Sequence, residues 1–230
     1  MRRLWLAAMV TAIGCLVVPA GAQIPQIKTL GKKAAEAQKK AAKEATFTEE
    51  EERQLGAEIS AKLRARYGVV QDPAIHKYVS VLGNLLAQSS DRPKLKWTFI
   101  VLDTDGINAF AAPGGFIHIT RGALALIRNE SELAGVLGHE ISHVVYKHTL
   151  IAIRNAKYES AAGKAVTAVT RMDIIERAMA KGYSITLENA FSATEEEESD
   201  AAGVSLANGL NYAPNGLSAF LQRLDDRNKG

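Results

Sequence analysis

Gly138-His139-Glu140-Ile141-Ser142-His143 is the stretch that most restricts what this chain can become. On an α-helix, residues four apart lie one above the other on one face, so His139 and His143 can offer two imidazoles to a single metal ion. Glu140 projects about 100° further round that helix, close enough to take a proton from a water the metal activates. The flanks favour the helix. Asn129 or Ser131 can cap its start, Glu130 and Glu132 suit the positive end of its dipole, and Leu133, Val136 and Leu137 mark an apolar stripe. Two histidines at this spacing also occur on ordinary amphipathic helices, so the motif needs support from the rest of the chain.

At 230 residues, 47% of them hydrophobic, the chain has the size of one globular domain. A net charge of +3 and the lack of a basic-aromatic stripe argue against a nucleic-acid partner. Residues 1–22 read as an export signal. Arg2 and Arg3 form a positive start, Leu4 to Val18 an apolar run, and Ala20-Gly21-Ala22 a small-residue cleavage site before Gln23. The run is too short for a comfortable membrane span. Cys15, the only cysteine, sits in Ala12-Ile13-Gly14-Cys15, a loose match to a bacterial lipoprotein box without its usual leucine. Cleavage after Ala22, giving a periplasmic or secreted chain, is favoured over a lipid anchor on Cys15. The chain would then have no disulfide and no thiolate for a metal.

Residues 23–46 read as a basic Ala/Lys-rich linker, a solvated tether or, as the sharper alternative, a contact with an anionic membrane surface. The domain proper is expected over residues 47–230. Thr48-Glu49-Glu50-Glu51 is a capping-box pattern that opens a helix to about Arg66. Asp72-Pro73 opens a second to about Gln88, with Val79, Leu82, Leu85 and Leu86 as its buried stripe. From Lys94 the period shortens: Leu95, Trp97, Phe99 and Val101 alternate with Lys96, Thr98 and Ile100, as in a strand. Asn108-Ala109-Phe110-Ala111-Ala112-Pro113-Gly114-Gly115 leads into Phe116-Ile117-His118-Ile119, two extended segments joined by a turn. That suggests a small antiparallel sheet beside the motif helix, with an exposed edge able to hold a peptide by main-chain pairing.

The motif helix should end near Lys147-His148-Thr149. His148 is nine residues, about 180° of helix, from His139 and is expected to be a helix-end cation or packing residue. His76 and His118 are expected to be structural. Residues 150–191 are Ala-rich and read as helical as far as Ala180, either a lid or a packed element.

Catalytic zinc commonly takes three protein donors, so a third is expected downstream. Ser192 to Asp200 starts another helix, capped by Ser192 or Thr194, with acids in its first turn. Glu196 and Asp200 are four apart and share a face, which suits one carboxylate on a metal and another holding a metal-bound histidine. The spacing alone does not separate Glu196 from Glu195 or Glu197. Asn208-Gly209 ends this helix, and Pro214 opens a last one carrying Leu217, Phe220, Leu221 and Leu224.

Three ordered motifs, Asn108–Gly115, His139–His143 and Glu196–Asp200, resemble those of the zinc peptidases of family M48, over roughly residues 48–227. Leu210-Asn211-Tyr212-Ala213-Pro214 is similar to the family's G-Y-D-P, while Ser199, Asn211 and Ala213 depart from the family pattern. The resemblance implies a mainly helical α+β domain of the zincin (gluzincin) type. It implies one Zn2+ held by His139, His143 and Glu196, with Glu140 as general base and Asp200 as partner of a zinc-bound histidine. It also makes Asn108, Ala109, Phe110, Ala111, Pro113, Gly114 and Gly115 the substrate-facing strand and turn. The expected activity is peptide-bond hydrolysis in polypeptides, by resemblance misfolded envelope proteins, in the family's small periplasmic branch. The rival expectation is a latent or inactive metal-bearing chaperone or assembly factor of the envelope. Tyr146, Tyr183, Tyr212 and Arg223 stand open as partners of the developing oxyanion.

Overall fold

Local signals set the ends of most helices in the computed structural model, which describes residues 47–153, 183, 184, 186 and 191–229. The export segment, the linker, Cys15 and the Ala-rich stretch up to Ala180 fall wholly or mostly outside the described residues. Helix α1 (Glu49–Tyr67) starts in the expected capping box: Glu51 N–H donates to the Thr48 hydroxyl, and Thr48 N–H donates to the Glu51 carboxylate. Asp72 caps α2 (Pro73–Gln88) by accepting from the N–H groups of Ala74 and Ile75. Val79, Leu82 and Leu86 point inward from α2, but Leu85 does not; it is 45% exposed. It lies about 100° round the helix from Leu86 and joins Ile75, Tyr78 and Val81 on an outer apolar face.

Strands β1 (Thr98–Leu102), β2 (Ala109–Ala112) and β3 (Phe116–Thr120) form one sheet in the order β1-β3-β2. The expected hairpin is present, with β2 and β3 antiparallel and Phe110 opposite His118. Gly114 and Gly115 turn it at φ 70° and 90°, where a side chain would be strained. β1, however, pairs with β3 in parallel, Ile100 opposite His118, so the sheet is mixed and not wholly antiparallel. The cause is the connection. Residues 103–108 carry the chain from β1 to the far edge, β2 runs back there, and the hairpin returns β3 between them in the direction of β1.

One face of the sheet, with Phe110, Ala112 and Phe116, packs on Leu55, Ile59 and Leu63 of α1. The other, with Phe99, Val101, Ala109, Ala111, Ile117 and Ile119, packs on α2 and on α4 (Glu130–Val145). Between them, α3 (Arg121–Leu126) follows β3 directly under a Thr120 cap. Of the two candidate caps of α4, Asn129 is the one used; its Oδ1 accepts from Glu132 N–H. Leu133, Ala134, Leu137 and Ile141 leave at most 2% of their surface exposed, which makes α4 the centre of the core. Each large apolar side chain so enclosed contributes about 1.5–3 kcal/mol.

Helix α5 (Ala193–Gly209) opens in a second capping box, between Ser192 and Glu195, so Ser192 and not Thr194 is the cap. The last helix, α6 (Gly216–Lys229), buries Leu217, Phe220 and Leu224 and leaves Leu221 39% exposed. A buried carboxylate ties these layers together. Glu52 of α1, 1% exposed, accepts from Arg92 at 2.7 and 3.0 Å and from Gly114 N–H at 3.0 Å. Arg92 also donates to Val144 O near the end of α4, at 3.1 Å, and Lys147 Nζ stands 3.4 Å from Glu52. Such a charge is tolerated indoors because every side of it is paired.

Candidate metal centre

Helix α4 places His139 and His143 on one face, their rings edge to face with centroids 4.7 Å apart and their Nε2 atoms 3.0 Å apart. The same face meets α5 with almost nothing between the two main chains. A Cβ on Gly203 would stand 2.5 Å from His139 N, and one on Gly138 would stand 2.8 Å from Gly203 O. Glycine at both positions therefore permits the approach. It brings the acidic face of α5 over the histidines. Glu196 Oε2 lies 3.4 Å from His139 Nε2, its Oε1 3.9 Å from His143 Nε2, and Asp200 Oδ1 2.8 Å from His139 Nδ1. The glutamate run is thereby sorted: Glu195 serves the cap, Glu196 faces the imidazoles, and Glu198 Oε2 lies 3.8 Å from His148 Nε2.

One ligand atom each from His139, His143 and Glu196 fall within 4.8 Å of one another. Bonds of about 2.0–2.1 Å in a tetrahedral arrangement put zinc ligand atoms about 3.3 Å apart. The 3.0 and 3.4 Å separations here lie close to that edge, while the third side of the triangle is longer, Glu196 approaching His143 Nε2 no nearer than 3.9 Å. Both Nδ1 atoms are engaged elsewhere, that of His139 by Asp200 and that of His143 by His148 Nδ1 at 2.8 Å, which leaves both Nε2 atoms for an ion. Two imidazoles and a carboxylate, with no thiolate, are a donor set that suits Zn2+.

Charges around this point are strongly perturbed. Burial works against a proton on His139, yet its bonds to Asp200 and Glu196 outweigh that and raise it to about 10. In the metal-free site an incoming ion would have to displace this proton. Burial and the neighbouring charge on His139 hold His143 well below the usual histidine range. Glu140, 8% exposed, is pushed up to about 7 by burial, against the pull of His139 and with the repulsion of Glu196. A bound cation would add its own pull against that rise, and the buried carboxyl beside the donors is placed to take and release a proton.

Of the two roles expected for His148, it takes that of a packing residue. It is fully buried, lowered to about 4 by desolvation and by the charge on His139, and so is not a helix-end cation. It stays outside the donor cluster, as its angle on the helix implied, but its contact with His143 was not foreseen: α4 stops at Val145, and Lys147, at φ 59°, turns the chain so that the next ring swings back against His143. His76 and His118 make structural bonds, to Val70 O at 2.8 Å and to Ser60 Oγ at 2.9 Å.

β2 is an edge strand beside α4, but Ala109 to Ala112 are all buried, so the edge is not the exposed one expected. The Thr186 hydroxyl reaches Ala111 O at 3.4 Å, and the Phe191 ring lies over His143, centroids 4.2 Å apart and 24° from parallel. Sequence reasoning missed both contacts, since neither residue belongs to a motif. Phe110 points away from the histidines and stacks on Tyr67 of α1 at 6.0 Å. The main chain at Pro113 and Gly114 packs against Gly56 and Arg53 of α1, Gly115 lies against Leu95 and Lys96, and Asn108 Oδ1 accepts from Ala109 N–H. Among the oxyanion candidates, Tyr212 is bonded to Glu130 and Arg223 to Glu132 and Leu126 O, near the opposite end of α4. Tyr183 lies under Lys62 of α1. The Tyr146 ring stands 5.7 Å from that of His148, which itself touches His143.

The family described as Peptidase family M48 matches over residues 73–225. A beta-barrel assembly-enhancing protease of Yersinia pestis is 30% identical over 194 residues, 80% of this chain and 40% of that protein. The protein of the same name from Escherichia coli K12 is 28% identical over 185 residues, 77% of this chain and 38% of its own length. Mitochondrial metalloendopeptidase OMA1 of Schizosaccharomyces pombe is 27% identical over 177 residues, 76% of this chain and 52% of its own. The chain thus spans about half or less of the length of these relatives. Since the family match runs from α2 into α6 and takes in both helices that supply the clustered donors, the chain belongs to peptidase family M48.

Proposed function

We propose that the chain is a zinc endopeptidase in which His139, His143 and Glu196 hold the metal and Glu140 is the general base. The observation that carries this reading is the convergence of both Nε2 atoms and the Glu196 carboxylate on one point beside a buried carboxyl. Zinc, when bound, polarises the scissile carbonyl and makes the attacking water more acidic. Glu140 accepts the proton of that water and hands it to the leaving amine nitrogen, a role that its buried place next to His139 favours. Asp200 accepts from His139 Nδ1 and so aims the opposite nitrogen inward. A substrate main chain would pair with β2 once Thr186 has left Ala111 O.

The substrates would be polypeptides; the family resemblance points to misfolded proteins of the cell envelope, and the bacterial relatives are named for β-barrel assembly. Export through residues 1–22, with cleavage after Ala22, would bring the chain there; a lipid on Cys15 is the alternative route. A second reading, a latent form of the same enzyme, is favoured by Thr186 on Ala111 O and Phe191 on His143, which occupy the ground a substrate needs.

The test pairs zinc content with casein cleavage for the processed protein and its Glu140→Gln variant. One zinc per chain in both, with cleavage only by the parent, is the expected result. Zinc in both without cleavage by either would favour the latent form. No zinc in either would overturn the site.

A further inference from the structure

We propose, resting on the zinc-site reading above, that His148 is a positioning residue: it accepts the Nδ1–H of His143 and thereby keeps the His143 Nε2 lone pair directed at the metal. The two Nδ1 atoms are 2.8 Å apart, and a pair of imidazole nitrogens at that distance shares one hydrogen, one ring donating and the other accepting. An imidazole that gives Nε2 to a metal carries its proton on Nδ1, so His143 donates and His148 accepts. The remaining proton of His148 then sits on Nε2, and that atom faces Glu198 Oε2 at 3.8 Å. His148 and His143 thus form an ordered pair whose second member presents a bare nitrogen to the ion.

The ring is held where this requires. His148 is fully buried and His143 3% exposed. Ser199 Oγ lies 3.4 Å from the same His148 Nδ1, and the rings of Tyr146 and Phe191 stand 5.7 and 5.9 Å away. The backbone is bent to bring it there. Lys147 adopts φ 59°, a region side chains resist, immediately before His148. The two histidines of the motif are therefore oriented by different chemistry, His139 by the carboxylate of Asp200 and His143 by a second imidazole.

Two variants separate direction from packing. His148→Asn retains an acceptor near the Nδ1 position, whereas His148→Leu fills similar space without one. Zinc affinity is read by chelator competition, the visible spectrum of the Co(II)-loaded chain reports donor geometry, and thermal melts show that each variant folds. The leucine variant is expected to lose about 10- to 100-fold in zinc affinity with an altered cobalt spectrum, and the asparagine variant to recover most of both. Unchanged affinity and spectrum in the leucine variant would overturn the proposal, as would equal losses in both variants. Should either variant fail to fold, nitrogen-detected histidine spectra of the zinc-loaded parent decide: a proton on His143 Nδ1 and none on His148 Nδ1 is expected, and the reverse overturns it. A parent that binds no zinc removes the site reading itself, whereas a zinc-binding parent with an indifferent leucine variant removes this inference alone.

Discussion

Asp200 Oδ1 lies 2.8 Å from His139 Nδ1 across 61 residues of sequence, joining α5 to α4 at the candidate metal centre. A carboxylate in that place both fixes the ring and strengthens its other nitrogen as a donor. Asp200→Ala is therefore expected to weaken zinc binding about 10- to 100-fold at fixed pH, with Asp200→Asn, which keeps an acceptor oxygen, losing less. Competition against a chromogenic chelator checks both. Equal affinity in all three proteins would remove Asp200 from the site.

Gly203 offers a test of packing. Its added Cβ would stand 2.5 Å from His139 N, main chain that cannot swing aside. Gly203→Ala is expected to cost about 1–3 kcal/mol of stability by urea denaturation. It should also lower zinc affinity, because moving α5 carries Glu196 and Asp200 with it.

Arg92→Met leaves the buried Glu52 carboxylate with only Lys147 and Gly114 N–H, at an expected loss of up to about 3–5 kcal/mol. Glu52→Gln, which strands the half-buried Arg92, should cost less. The double variant should be less destabilised than the sum of the two. Urea unfolding of all four proteins supplies the cycle; strict additivity would show that the pair is not coupled.

His118 gives stability a dependence on pH. Burial lowers it from 6.5 to about 4 in the folded chain, so between those values the unfolded chain binds the extra proton. Its stabilising contribution is complete above the unfolded value and is lost as pH falls toward the folded one, about 3 kcal/mol between pH 7 and pH 4. Unfolding free energies of the parent and of His118→Gln across that range should differ in slope. Parallel curves would contradict the assignment.

Where the determinants were local, the sequence carried them. Thr48, Asp72 and Ser192 announce their helices because a cap and its N–H partners lie within three residues. The pair His139 and His143 was legible for the same reason, being one turn apart. The parallel pairing of β1 with β3 was not, since no turn residue says that β2 runs back on the far edge and leaves the middle place to β3. Glu196 could be singled out from its neighbours only by resemblance, because the register of α5 against α4 depends on the Gly138–Gly203 approach. The contact of His148 with His143 was not legible, because it depends on the bend at Lys147, which a lysine does not advertise.

The meeting of α4 and α5 at two glycines has a further consequence. The spacing between the paired imidazoles and the carboxylates is gauged by atoms of the main chain in direct contact, with no rotamer available to take up slack. The centre therefore behaves like a fixed-jaw tool: substitutions along the cleft can change what enters it, while the opening of the jaws stays that of two touching backbones.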